Sequence, residues 1–244
     1  TSILRSEEDY APSQENDILI LDSYTIKLDS QFLARKNWRS IVAIKDPSSP
    51  DYYSDVELWP SLHEKVRSSG AKIVLSGPKH LLMRKGIEKV VLHENARGPL
   101  RVLVVGGGAD QHNFAIAMAS ILEKYNGNFE VHFFSDQQIH SRLRSTGVFI
   151  THPFGDSIDE VSRSIDLVFT TASTASLEFI ARGIPTGVAC AVENQLDNYL
   201  HFGKTGFATQ IGEFNSKGEW ALEFQVITKL MSDFSMRKGL IDLT

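Results

Sequence analysis

An apolar run that ends in three glycines, RVLVVGGGADQHN at residues 101–113, constrains this chain more than any other segment. Val102 to Val105 reads as a strand, and a helix of amphipathic pattern opens soon after the glycines. Glycine lets the backbone turn sharply and approach a ligand closely, and a helix start offers N–H groups to an anion. Three consecutive glycines cost more backbone entropy than a simple turn requires, so the segment reads as a diphosphate cradle. The plainer alternative is a tight strand-to-helix turn that binds nothing.

The residues that follow repeat the pattern. Strands are predicted over 100–105, 129–134, 147–150, 166–170 and 186–190, and helices over 112–125, 138–145, 157–164, 174–182, 194–202 and 217–232. Gly183 and Pro185 punctuate the helix over 174–182 at its C-terminal end. Such alternation specifies a parallel sheet with helices on both faces, and ligands of such sheets bind at the carboxyl ends of the strands. Upstream, Ile18–Leu21, Ile41–Ile44 and Ile73–Leu75 are short apolar runs, expected as strands covered on both faces, with a helix over Ser61–Ser69 ended by Gly70. The stretch from His93 to Pro99 reads as a linker, which divides the chain into an α/β domain over 1–96 and a second over 97–244.

Bulk properties narrow the classes. With 42% hydrophobic and 23% charged residues in 244, the chain can bury a proper core. A net charge of −5 argues against a broad nucleic-acid surface and against anionic membranes. No apolar run approaches the roughly 20 residues that span a bilayer, and no secretory signal is legible. The one cysteine, Cys190, leaves no internal disulfide or multi-cysteine zinc site, so the cytoplasm is the expected compartment. Its neighbours Val188, Ala189 and Ala191 are small and apolar, so a buried structural thiol is expected.

The chemistry is read from four places. GGGAD is neither G-x-G-x-x-G nor a Walker loop, which disfavours a nicotinamide, flavin or P-loop site. In TTASTASLEFIARGIP, 170–185, small hydroxyl residues close a strand and Ser173 or Thr174 can cap the helix. Glu178 within that helix either accepts the hydroxyls of a ribose or pairs with Arg182 at i,i+4. Asn194 and Gln195 stand at the next strand end, where primary amides bind phosphate or sugar oxygens, although Asn194 alone reads as the cap of a helix ended by Gly203. Asp22 and Tyr24 follow the first strand, where a structural role is the default. His112 touches a phosphate or faces solvent. There is no H-E-x-x-H, paired-cysteine or G-x-S-x-G signature.

Together these segments resemble a known group. HPFGDSIDEVSRSIDLVFTTASTASLEFIARGIP (152–185), then ENQ (193–195) and GFA (206–208), resembles the C-terminal domain of the GT-B nucleotide-sugar enzymes, which include the glucosaminyltransferase that makes lipid II. The narrower resemblance is to the UDP-sugar hydrolase of pseudaminic acid biosynthesis and its spore-coat polysaccharide relatives. ILILDSY resembles that group's strand ending in Asp-His-Tyr, SIVAIKDP its Asp-rich turn, and SGPKHLLMR its Gly-Pro…Leu…Arg segment.

The resemblance implies two Rossmann-like parallel-sheet domains, the N-terminal one incomplete. It implies a UDP-sugar cleaved or transferred at its anomeric carbon, in surface polysaccharide or nonulosonic acid biosynthesis, with no metal or further cofactor. Gly107, Gly108, Asp110 and Asn113 would line the diphosphate. Phe154 and Ile158 would belong to the loop that reads uracil. Ser176 would contact phosphate and Glu178 the ribose. Asn194 and Gln195 would face the sugar and its leaving phosphate, with Tyr24 approaching from the N-terminal domain.

Three departures qualify this. Ser23 stands in place of the histidine of Asp-His-Tyr, and Lys45 in place of one aspartate. No histidine precedes His63, so the Gly-x-Gly-His loop that carries the group's base is not represented. The expectation is a fragment that would contact its missing N-terminal part, or a degenerate relative. A GT-B glycosyltransferase, a non-catalytic nucleotide-sugar-binding module and an α/β protein with an empty glycine loop are the competing readings.

Overall fold

A computed structural model describes residues 17–23, 38–63, 66–67, 70–90, 98–108, 110, 112–139 and 147–243. The chain divides into two compact units, Thr1–Leu82 and Met83–Thr244. This division precedes the 96/97 boundary read from linker composition. The physical reason is that Val90 packs against the core of the second unit and its N–H donates to the Arg182 carbonyl at 2.7 Å.

In the first unit, β1 (Ile18–Leu21), β2 (Ser40–Ile44), β3 (Val56–Trp59) and β4 (Ile73–Ser76) form a parallel sheet in the order β1-β2-β3-β4. Leu19, Leu21, Ile41 and Ala43 pack with Tyr52 into its core. Ile18 and Ile20 alternate outward at 55% and 62% exposure, so β1 is not covered on both faces as its continuous apolar run suggested. β3 was not expected, because Glu57 interrupts its apolar pattern. That carboxylate is buried and accepts from Trp59 Nε1 at 3.1 Å. Lys45 is also buried, with Nζ donating to the Pro50 carbonyl at 2.8 Å and lying over the Tyr52 and Trp59 rings. Of the helix expected over 61–69, residues 61 and 62 form a bend, 63, 66 and 67 carry no regular structure, and the rest lie outside the described residues.

The second unit follows the predicted alternation closely. Its strands are β5 (Leu100–Val105), β6 (Phe129–Phe134), β7 (Val148–His152), β8 (Leu167–Thr171), β9 (Thr186–Cys190), β10 (Thr209–Phe214) and β11 (Trp220–Leu222). Helices are α1 (Phe114–Leu122), α2 (Ile158–Ser162), α3 (Thr174–Ala181), α4 (Leu196–Thr205), α5 (Phe224–Ser232) and α6 (Phe234–Ile241). The helix expected over 138–145 falls mostly outside the described residues. The sheet runs β11-β10-β9-β8-β5-β6-β7, parallel except for the antiparallel β10–β11 pair. The six parallel strands therefore have the doubly wound order 3-2-1-4-5-6.

β5 shows why the sheet is covered on both faces. Val102 and Val104 enter one core with Phe114, Met118 and Ile227, while Leu103 and Val105 enter another with Val168, Phe179 and Ile184. Alternate residues of a strand point to opposite faces, and each fully buried valine or leucine contributes about 1.5–3 kcal/mol. β5 and β8 are parallel neighbours at which the strand order reverses, so a crevice opens at their carboxyl ends.

Three differences concern boundaries. The predicted helix over 217–232 is β11 followed by α5, with Glu223 between them. A 3₁₀ turn at Glu193–Gln195 precedes α4, so Asn194 is not its cap. Gly206, at φ +75°, ends α4, whereas Gly203 lies inside it.

Candidate functional site

The glycine loop leaves β5 at the crevice, and its three glycines have different physical reasons. A Cβ at Gly106 would lie 1.9 Å from Asp110 Oδ1, so only glycine admits that carboxylate. Gly107 has φ +94°, where an L side chain is strained, and a Cβ there would sit 3.6 Å from Thr171 Oγ1. Gly108 is exposed, and a Cβ there would meet nothing within 4 Å. Two of the glycines thus serve the turn. The third faces open space. Among the described residues no hydrogen bond engages the N–H of Gly107 or Gly108.

Asp110 has a role that the sequence did not disclose. Its carboxylate accepts from the N–H groups of Phe114 at 2.7 Å and Ala115 at 3.0 Å, capping α1 from within the loop. Both Asp110 (φ 42°) and Asn113 (φ 54°) adopt left-handed backbone to permit this. The expectation that the helix start presents free N–H groups to an anion is therefore corrected: the protein's own carboxylate takes them. Burial raises the Asp110 pKa, opposed by those two hydrogen bonds and by His112. Asn113 is exposed and its amide oxygen accepts from Gln137 at 3.1 Å. His112 is held at the edge of the loop. Its ring lies 4.2 Å from that of Phe214, and its carbonyl accepts from Trp220 Nε1 at 2.8 Å.

Across the crevice, β8 ends in buried hydroxyls. Thr170, Thr171 and Ser173 each carry a buried side-chain oxygen with no hydrogen-bond partner. Val105 is in register with Thr170, so the end of β8 lies beside the start of the glycine loop, and Thr171 Oγ1 is the hydroxyl nearest Gly107. A buried hydroxyl without a partner costs about 1–3 kcal/mol, so a row of them signals groups held for something else. Ser173 stands at the N-cap position of α3 without using its side chain as a cap. Ser176, fully buried, donates its hydroxyl to the Ser173 carbonyl at 2.7 Å.

The remaining expected residues spread along the same edge. Phe154 and Ile158, after β7, are half-buried against the core that contains Phe179. Asn194 is exposed, while the Gln195 side-chain oxygen accepts from Ala191 N–H at 3.0 Å. Tyr24 lies outside the described residues. Glu178 neither stands free nor pairs with Arg182. Its two oxygens accept from Arg84 Nε at 3.0 and 2.9 Å and from Nη2 at 2.6 Å. Arg84 also donates to Asp159 at 2.9 and 3.1 Å, and the buried Arg182 pairs with Asp159 through Oδ1, which it shares with Arg84. The Glu178 hydrogen bond is the main reason the Arg84 pKa lies above its ordinary value, opposed in part by burial. Sequence spacing missed Arg84 because it lies 94 residues from Glu178.

Cys190 is buried, and its thiol pKa is raised by burial and by Glu213, as befits a structural sulfur. Among the described residues no group of three or more His, Cys, Asp or Glu is arranged to hold a metal, and no helix is long and apolar enough to cross a membrane. A cavity of about 540 Å³, lined by Lys89, Arg101, Arg163 and Asp166, opens at the amino ends of β5 and β8, the edge opposite the glycine loop.

No protein-family model and no curated protein matches the chain. Solved structures do. MurG of Acinetobacter baumannii superposes with a TM-score of 0.61 at 12% identity, over 88% of this chain and 70% of that one. The fold is that of the GT-B glycosyltransferases. Arabidopsis thaliana UGT89C1 complexed with UDP superposes with a TM-score of 0.50 at 15% identity, over 93% of this chain and 60% of that one. This chain thus spans between about three-fifths and seven-tenths of these GT-B proteins. Superposition at this low identity establishes the shared fold alone, and chemistry has to be argued from the site.

Proposed function

We propose that the chain binds a UDP-sugar at the carboxyl edge of the seven-stranded sheet and serves transfer of the sugar from its anomeric carbon to an acceptor. The observation that carries this reading is the unpartnered buried hydroxyl of Thr171, 3.6 Å from where a Cβ on Gly107 would stand, at a strand end whose Thr170 and Ser173 hydroxyls are unpartnered as well. A diphosphate offers acceptor oxygens to hydroxyl and backbone N–H donors of this kind, at the position where doubly wound sheets bind nucleotides. The UDP bound by the Arabidopsis protein of similar fold supports the choice of nucleotide.

In this reading Gly107, Gly108 and Thr171 hold the diphosphate, Phe154 and Ile158 flank uracil, and Glu178 takes the ribose. Ser176, whose hydroxyl donates to the Ser173 carbonyl, fixes the start of α3 beside the phosphates, and the free amide NH₂ of Gln195 and the side chain of Asn194 face the sugar side. Asp110 serves the loop rather than the ligand, since its carboxylate would repel a diphosphate. In the reaction the acceptor hydroxyl attacks the anomeric carbon and loses its proton to a base. The bond from that carbon to the diphosphate oxygen breaks, and UDP leaves with the electron pair. Donors aimed at the leaving diphosphate stabilise the charge that develops there.

Hydrolysis is the same displacement with water as nucleophile. It is the weaker reading, because Ser23 and Lys45 depart from the Asp-His-Tyr and Asp-rich segments that carry the hydrolase resemblance. The narrower resemblance of ILILDSY, SIVAIKDP and SGPKHLLMR supports a place in surface polysaccharide or nonulosonic acid synthesis. Calorimetry tests the binding step: the folded chain should bind UDP, and Gly107→Val should abolish the heat. A folded chain that gives no heat with UDP would falsify the proposal.

A further inference from the structure

Arg84 covers the one carboxylate at this edge that a ribose needs. Both Glu178 oxygens are occupied by its fork, through three contacts of 2.6–3.0 Å. The Glu178 side chain is 14% exposed and that of Arg84 49%, so solvent meets the guanidinium rather than the carboxylate. A carboxylate held bidentately by arginine is a well-satisfied acceptor, and a vicinal diol competes poorly while the fork remains in place. Yet the fork is not buried and does not come from a regular element. Arg84 sits in an irregular stretch, two residues before Gly86 at φ +82°. Its second carboxylate, Asp159, accepts from Nη1 and Nη2 and is itself fixed by Arg182. A guanidinium that leaves Glu178 therefore keeps an anchored anionic partner and need not return to solvent.

We propose that Arg84 is a built-in competitor for nucleotide: its guanidinium occupies Glu178 in place of the ribose hydroxyls, and a nucleoside diphosphate with a free 2′,3′-diol binds by displacing it onto Asp159. This rests on the reading that Glu178 takes the ribose. Simple electrostatics predicts the opposite outcome of removing Arg84, since deleting a cation near an anionic ligand weakens binding. Competition predicts tighter binding. An exposed ion pair of this kind is worth up to about a fivefold factor in affinity.

The experiment is calorimetric titration of the wild-type chain, Arg84→Ala and Arg84→Met with UDP and with 2′,3′-dideoxy-UDP. Circular dichroism verifies folding, and Arg84→Met keeps an apolar stem in place should the alanine variant unfold. Both variants should bind UDP about fivefold more tightly than wild type, and the dideoxy nucleotide should bind all three alike. Equal or weaker UDP binding by the variants overturns the competitor role while leaving the proposed function standing. A gain of equal size for the dideoxy nucleotide also overturns it, because the diol would then play no part. No UDP binding by any folded form sinks this inference and the proposed function together.

Discussion

The crevice between β5 and β8 and the charged cluster around Glu178 of α3 lie in the same unit, yet they settle their polar groups in opposite ways. In the crevice, Thr170, Thr171 and Ser173 are buried without partners and Gly108 faces open space. In the cluster, Arg84, Asp159, Glu178 and Arg182 satisfy one another, two cations against two carboxylates. Buried polar groups normally find partners, so the crevice keeps a debt of hydrogen bonds that a ligand can settle. The cluster keeps none. One region is prepared by leaving groups unpaired, the other by pairing them with a side chain that can move.

The largest effect that tests this contrast should come from Gly106→Ala. The added Cβ would fall 1.9 Å from Asp110 Oδ1 and drive the carboxylate off the N–H groups of Phe114 and Ala115. The lost cap and the overpacking together should cost about 2–4 kcal/mol, read as a lower midpoint in urea unfolding. An unchanged midpoint would mean the loop tolerates a second arrangement and is not preorganised.

Arg182→Met comes next. The side chain is 4% exposed and its removal leaves Asp159 to Arg84 alone. Breaking a buried pair costs about 3–5 kcal/mol, which the 40% exposure of Asp159 reduces to about 2 kcal/mol. Stability equal to wild type would show that the cluster is not a closed set.

Thr171→Val should act with the opposite sign. Replacing an unpartnered buried hydroxyl with a methyl group of the same shape should stabilise the free protein by about 1 kcal/mol while weakening UDP binding. Destabilisation would reveal that the hydroxyl is already satisfied, and the crevice would lose its distinction from the cluster.

The smallest effect is one of pH. Because burial raises the Asp110 pKa in the folded chain, the folded state binds this proton more tightly than the unfolded one. Its contribution to stability is therefore full below the ordinary aspartate pKa and is lost as pH rises through the raised value. Asp110→Asn, whose amide oxygen can still accept from one N–H, should flatten stability across that acidic window. An unaltered slope would place the pH dependence elsewhere.

What could be read from the sequence tracks the locality of the interactions. β5 and β9 announce themselves as nearly continuous apolar runs because both faces of the sheet are covered there, while β6 (FEVHFF) is legible from its alternation and aromatic residues. β3 and β10 were missed because Glu57 and the Gln210, Gly212 and Glu213 positions break that pattern. The stretch 217–232 looked like one helix since nothing in its composition marks where β11 stops at Leu222. At the site, the glycine loop and the hydroxyl row at 170–173 were legible from residue type and place. The capping role of Asp110 was not, since it depends on left-handed backbone at two non-glycine residues. Nor was the partner of Glu178, because an ion pair between residues 84 and 178 leaves no periodicity to find.

The tie between Trp220 and His112 has a consequence for how the glycine loop comes to be shaped. Trp220 Nε1 bonds a carbonyl 108 residues away, and Phe214 packs on the ring of that same histidine. Closing a chain segment of that length costs conformational entropy, which the packing of β10 and β11 has to offset. The final form of the turn beyond the glycines therefore depends on β10 and β11 being docked. A nascent chain that has not yet delivered Trp220 carries the loop sequence but not its outer clasp.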